Sequence, residues 1–203
     1  VASEKRELVG FSRGIDAGLM LEGYRKGIFA MSYWGLMYQW WAPDPRGVLP
    51  LDGLRVSRSL RKSASRYRVG YDEDFEEVLT LCADPERPGG WIDPGLQDAY
   101  RELHRLGHAH SVEARDYEGR LAGGLFVVNI GGFISGESMF HRARDASKVA
   151  LVGLVERLRN REQPVLLDTQ WRTEHLTSLG VVDVPRPLYL RRLEQVIDRP
   201  DVW

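Results

Sequence analysis

The sequence predicts a mixed α/β domain, and three observations predict it. The chain has 203 residues, 43% of them apolar and 10% aromatic, enough to bury a substantial core. Its hydrophobic period is helical up to about residue 106 and alternates from residue 109. From residue 146 onward, helical and extended segments take turns, so the order is helices, an antiparallel meander, then helix–strand alternation.

Residues 16–27 carry Leu19, Gly23 and Tyr24 at helical spacing behind Asp16, whose side chain can cap free amides at a helix start. Residues 35–50 hold the densest cluster of aromatics, prolines and glycine, including Trp40, Trp41, Pro43, Pro45 and Gly47. Prolines two apart forbid regular helix there and push Asp44 toward extended backbone. This stretch is expected to be a hinge, with a small N-terminal subdomain over residues 1–45 and a larger domain over 46–203.

Phe75, Val78, Leu79 and Cys82 follow the i, i+3, i+4, i+7 rule, as do Leu96, Ala99, Tyr100 and Leu103. The second of these helices starts on Asp93-Pro94, a cap followed by a proline, and stops at Gly107. Residues 109–114 and 120–128 read as strands around the turn Asp116-Tyr117-Glu118-Gly119. A second turn, Asn129-Ile130-Gly131-Gly132, leads into 133–135, completing a three-stranded meander. A helix over 146–159 places Leu151, Leu154, Val155 and Leu158 on one face. Residues 164–168 are a short apolar run ending on an acid, a short helix ends at Gly180, and a strand at 181–184 precedes a last helix over 187–197.

Composition narrows the function. No apolar run approaches the roughly 18 residues that span a bilayer, so no membrane protein is expected. The chain opens without a basic and apolar leader, and it has one cysteine, Cys82. A disulfide framework or thiolate zinc cluster is therefore excluded, and a reducing cytoplasm is expected. Charges nearly cancel, 28 basic against 29 acidic, yet they are segregated. Arg55, Arg58, Arg61, Lys62, Arg66 and Arg68 stand in one stretch without an acid, whereas residues 72–102 hold ten acids and two basic residues. Such a run is either a solvated face or a phosphate-binding patch.

Phosphate loops, dinucleotide fingerprints, zinc-protease motifs and nucleophile elbows are all missing from the sequence. His104, His108 and His110 lie close together, but no acidic or cysteine fourth ligand accompanies them, so no metal is expected. Glu137 sits between apolar residues in a glycine-rich strand; it is desolvated and functional, or it faces water at a bulge. Asp168 ends an apolar strand with Gln170 two residues on. The pair is a proton acceptor with a polar clamp, or an ordinary strand-end cap. Trp91, after Gly89-Gly90, stacks on a base or merely packs.

Several strings in order, from about residue 20 to 190, resemble one family. They are Tyr24-Arg25-Lys26-Gly27-Ile28-Phe29, Trp40-Trp41-Ala42-Pro43-Asp44-Pro45-Arg46, Trp91-Ile92 and Leu106-Gly107-His108-Ala109-His110-Ser111-Val112-Glu113. Gly136-Glu137-Ser138-Met139-Phe140, Ala146-Ser147-Lys148 and Asp168-Thr169-Gln170 complete the set. Together they are similar to the leucyl/phenylalanyl-tRNA–protein transferases.

That resemblance implies a cytoplasmic enzyme without cofactor, moving Leu, Phe or sometimes Met from aminoacyl-tRNA to proteins beginning with Arg or Lys and marking them for N-end rule degradation. It also implies an N-acetyltransferase-like mixed sheet flanked by helices. Asp168 and Gln170 become a relay beside the attacking amine, and Glu137 helps take its proton. Leu125, Ile134, Met139, Leu154, Leu158 and Leu167 line a pocket for the donor side chain. Trp91 stacks on the terminal adenosine, and the basic run from Arg55 to Arg68 contacts the tRNA backbone.

Three departures stand out. Where the family continues with Pro-Trp, this chain has Ala30 and Met31, so an aromatic wall of the adenosine site is missing or comes from Tyr33 or Trp34. The glycine-rich stretch common before the family's first helix is also absent, and Leu154 and Leu158 replace larger side chains. The rival readings are an acetyl-CoA-dependent N-acetyltransferase and a non-catalytic binder of tRNA or protein N-termini. The first needs an Arg/Gln-x-x-Gly-x-Gly/Ala turn for the pyrophosphate, and the sequence has none.

Overall fold

The computed structural model describes residues 7–87 and 90–203; Gly89 and the first six residues of the expected subdomain lie outside them. Two sheets organise the chain. The smaller is three-stranded, in the order β1 (Leu8–Arg13), β3 (Met37–Trp41), β2 (Phe29–Trp34), and is antiparallel throughout. Between β1 and β2 runs α1 (Ala17–Arg25), capped by Asp16 as its sequence requires.

The larger sheet has seven strands. Its order is β10 (Val182–Val184), β4 (Arg46–Val48), β9 (Leu166–Asp168), β8 (Phe133–His141), β7 (Leu121–Ile130), β6 (Ala109–Arg115), β5 (Arg68–Tyr71). Only β8 and β9 pair in parallel, through the crossover helix α5 (Ala146–Arg159). The remaining helices are α2 (Arg58–Ala64), α3 (Phe75–Cys82), α4 (Pro94–Arg105), α6 (Glu174–Ser178) and α7 (Arg186–Val196).

This is a mixed α/β fold with helices on both faces of the large sheet. All ten residues of β7 are buried, the mark of a strand covered on both sides. Phe126, Val128 and Ile130 face one core with α1, α3, α4 and α7, while Leu125 and Val127 face another with α2 and α5. Helix α5 can lie directly on the sheet because residue 123 is glycine: a Cβ there would stand 2.7 Å from that of Ala146. Each fully buried Leu or Phe in these layers contributes roughly 1.5–3 kcal/mol.

Two expectations need correction. The stretch over 35–50, expected to be a hinge, is not irregular throughout, because it supplies the central strand of the small sheet and β4 of the large one. Two prolines are compatible with strands when they fall between them, as Pro43 and Pro45 do. The three-stranded meander is real but is part of a sheet of seven, with β5 on one side of it and β9, β4 and β10 on the other. Its neighbours β5, β9 and β4 are each four residues or fewer, too short to show alternation.

Candidate active site

Asp168 closes β9 at its C-terminal end, and Thr169 and Gln170 follow it. Asp168 is completely buried. Arg46 on β4, 1% exposed, grips it with Nε at 2.9 and 3.1 Å and Nη2 at 2.6 Å. The Tyr189 hydroxyl on α7 donates to Asp168 Oδ2 at 2.9 Å, and the backbone amide of Gln170 donates to Oδ1 at 2.8 Å. Arg46 also donates to the Gly27 carbonyl at 2.9 Å and lies against the rings of Phe29 and Tyr189. Burial opposes its charge, but the Asp168 carboxylate beside it keeps the guanidinium firmly protonated. Burial and the same carboxylate raise the Tyr189 phenol well above its ordinary range.

This ion pair shapes the segment that follows. Gln170 adopts a left-handed backbone with φ of 56°, a costly conformation for a residue other than glycine. It is held by its amide bond to Asp168 and by the pairing of its carbonyl with the Gly47 amide at 2.9 Å. Gly47 is required: a Cβ there would come within 2.9 Å of Thr169 and Trp171. The Gln170 side chain donates to Ser135 Oγ at 2.8 Å on the neighbouring β8.

Glu137, also on β8, accepts a 2.7 Å bond from the Tyr100 hydroxyl at Oε2, and Tyr100 meets the Tyr24 hydroxyl at 3.5 Å. Burial pushes the Glu137 carboxyl up to about 7; the hydroxyls of Ser135, Tyr100 and Tyr24 hold it back, and the charge of Asp168 adds to the rise. Burial and the Glu137 carboxylate keep both tyrosines protonated. Glu137 Oε1 and Thr169 Oγ1 are buried without a hydrogen-bond partner among the described residues.

Two cavities meet at these atoms, sharing Glu137, Thr169, Gln170, Thr173 and Leu176. One, about 300 Å³, is apolar, with Leu125, Met139, Leu151, Leu154 and Leu167 in its wall. The other, about 250 Å³, is aromatic, lined by Phe29, Met31, Trp91 and Trp171. Trp91 is half-buried and fixed: its ring stands edge-on to Tyr100 at 6.4 Å, and its carbonyl accepts from Ser32 Oγ at 2.6 Å.

The structure thus gathers Asp168, Gln170, Glu137, Trp91, Leu125, Met139, Leu154 and Leu167 into one place. Ile134 and Leu158 stand elsewhere. Both are buried in the same core as Leu154 and Leu167 but line neither cavity, and Leu158, on α5, reaches the wall of a different groove. Neither Tyr33 nor Trp34 enters the aromatic cavity, whose lining beside Trp91 includes Met31, Phe29 and Trp171. The six basic residues of the 55–68 run are all exposed on and around α2. Arg68 is paired with Glu73. The three histidines bond to local acceptors: His104 to the Ala109 carbonyl, His108 to that of Asn129, and His110 to Asp72.

Arg46, Tyr189, Tyr24, Tyr100, Leu151, Leu176 and Trp171 were not singled out by the sequence as site residues. Arg46 had a signal: it is a lone cation between Pro45 and the apolar run Val48-Leu49, which asks for a buried partner.

Comparison with known proteins supplies a family. The model for leucyl/phenylalanyl-tRNA protein transferase matches residues 48–194. A leucyl/phenylalanyl-tRNA–protein transferase of Rubrobacter xylanophilus is 49% identical over 88% of this chain and 93% of that relative. One from Pseudoalteromonas atlantica is 42% identical over 95% of this chain and 83% of its own. Among solved structures, a tandem GNAT protein from the clavulanic acid biosynthesis pathway aligns at a TM-score of 0.41 with 16% identity, over 89% of this chain and 59% of that one.

Proposed function

The chain belongs to the leucyl/phenylalanyl-tRNA protein transferase family, and on that premise we propose that its paired cavities hold the aminoacyl end of a tRNA while a protein α-amine attacks the ester between them. The chain is an aminoacyltransferase. One observation carries the reading of the site: Glu137 Oε1 and Thr169 Oγ1 lie buried, with no hydrogen-bond partner among the described residues, where the apolar and aromatic cavities meet. An unpaired buried polar atom costs about 1–3 kcal/mol, and a polar reacting group placed there would remove that cost.

In this reading the apolar cavity takes the Leu or Phe side chain of the donor, Met included, and Met139 lets one wall adapt to branched and aromatic shapes. The terminal adenosine lies against Trp91 in the aromatic cavity. The acceptor amine, with an ordinary pKa of about 7.7–8.0, attacks in its neutral form. Its nitrogen bonds to the carbonyl carbon, the ester C–O bond breaks, and the proton lost from nitrogen passes through Glu137 to the departing ribose oxygen. A carboxyl at about 7 suits that exchange, since a base works best near the operating pH.

Asp168 acts at one remove. Its oxygens are occupied by Arg46, Tyr189 and the Gln170 amide, so it positions Gln170, whose side chain orients the amine. An ester needs no further activation, and holding the reactants in register supplies much of the rate, up to roughly 7–11 kcal/mol.

Glu137 is the only carboxylate lining either cavity among the described residues, and it favours an acceptor that begins with Arg or Lys. Such transfer would mark proteins for N-end rule degradation in the cytoplasm. Among the described residues no helix is long and apolar enough to cross a membrane. Residues 1–45 serve as a small subdomain that closes the aromatic cavity through Phe29 and Met31, and 46–203 as the catalytic domain. The exposed basic residues around α2 follow the tRNA backbone.

The test is transfer of labelled leucine from Leu-tRNA to a peptide beginning with Arg, with the same peptide beginning with Ser and with acetyl-CoA in parallel. Label on the Arg peptide alone is expected. Acetyl transfer without aminoacyl transfer would overturn the reading.

A further inference from the structure

The small sheet presents more aromatic surface than its core requires. Strand β2 sends Phe29 and Met31 into the aromatic cavity, and the register pairs Met31 with Gln39 and Gln39 with Phe11. Paired residues share a face of a sheet, so Phe11 lies on the cavity side. A register shift between Ser32 and Trp34 leaves Tyr33 as the extra residue of a bulge, and its ring meets Phe11 at 5.7 Å, edge to face, across β3. The pair is 52% and 63% exposed. From Met31 to Tyr33 is two residues of strand, about 6–7 Å. The aromatic lining of the cavity therefore continues outward as a shelf.

We propose that this shelf, Tyr33 with Phe11 beside it, stacks the base that precedes the terminal adenosine of the donor RNA. The inference rests on the reading that the aromatic cavity holds that adenosine. The charge of the surface selects the occupant. The three strands contain no carboxylate and one cation, Arg13, which is exposed and on the Phe11 face. These strands themselves offer a basic protein N-terminus no counter-ion. A single RNA strand finds what such strands use, ring faces for its bases and a cation for its phosphates. The shelf also gives the 3′ end a contact on this side of the cavity, where Met31 offers no ring.

The experiment compares two non-hydrolysable donors: phenylalanine amide-linked to 3′-amino-adenosine, and the same group at the end of the trinucleotide CCA. Dissociation constants are measured on the full chain for the parent protein, Tyr33→Ala and Tyr33→Phe, with sedimentation of each. The parent should hold the trinucleotide more tightly than the nucleoside. Tyr33→Ala should lose roughly fivefold to a hundredfold on the trinucleotide, the range for one base–aromatic stack, and less than about twofold on the nucleoside. Tyr33→Phe should keep the parent affinity. Equal parent affinity for the two ligands would overturn this inference alone. So would equal loss on both in Tyr33→Ala, a change confined to the KM of the Arg peptide, or a dimer that Tyr33→Ala dissociates. A parent protein that binds neither ligand would overturn the transferase reading and this inference with it.

Discussion

Replacing Glu137 by Gln should make the protein more stable above neutral pH while it stops turning over. The carboxyl stands at about 7 in the folded chain against an ordinary 4.5, chiefly because it is buried. A carboxyl raised on folding contributes stability fully below its unfolded value and loses it as pH rises through the folded one. At 1.36 kcal/mol per tenfold, a rise from about 4.5 to about 7 amounts to about 3 kcal/mol in favour of the variant. The amide keeps an oxygen for the Tyr100 hydroxyl and has no charge to desolvate. The assay is urea unfolding followed by tryptophan fluorescence, parent and Glu137→Gln side by side, at half-unit steps from pH 4 to 8. The difference should be near zero at the acid end, grow through pH 5 and 6, and level off above pH 7. Other titrating groups are common to both proteins and cancel. A difference that does not change with pH would refute the argument, because it would mean that Glu137 titrates alike in both states. Single-turnover transfer should also fall, and the parent's rate limb near pH 7 should disappear in the variant.

Arg46→Met should cost about 3–5 kcal/mol at pH 7, since it strands a fully buried Asp168 without its cation. Adding Asp168→Asn removes the stranded charge and should recover at least about 1 kcal/mol; a double variant no more stable than Arg46→Met would contradict the ion-pair account. Trp91→Ala should weaken the aminoacyl-adenosine ligand by about 1–3 kcal/mol, and an unchanged dissociation constant would mean that Trp91 only packs against Tyr100.

The elements that the sequence made legible are those whose pattern is local and long. Helices α3 and α4 carry apolar residues at the right spacing, and α4 has Asp93 and Pro94 at its start. Strands β6 and β7 are bounded by turn residues and follow a visible change of period. Strand β10 was legible at 181–184 between a glycine and a proline, but β4 and β5, three and four residues each, have no room for a pattern, and β4 hides in a stretch whose prolines suggest a hinge. Strands β1 and β2 mix apolar and polar residues without alternation, because several of their apolar side chains, Leu8, Val9, Phe11, Tyr33 and Trp34, stand in water and burial does not dictate the pattern.

The site divides the same way. By itself, the sequence determined the chemistry available: Asp168, Gln170, Glu137 and Trp91 sit in strings specific enough to suggest a family, and residue types in fixed order survive without coordinates. Only the tertiary structure decided what each group is bonded to. Arg46 lies 122 residues from Asp168, and Tyr100 lies 37 from Glu137. Those partners fix which carboxylate is tied up and which is left with an unpartnered oxygen. Ile134 and Leu158 are as apolar as Leu154 and Leu167 and share their faces, since Ile134 pairs with Leu167 and Leu158 follows Leu154 by one helical turn; only their position along strand and helix keeps them out of the cavity, and spacing does not give that. Protonation and packing depend on what surrounds an atom in space, and those neighbours come from strands that only the folded sheets bring together.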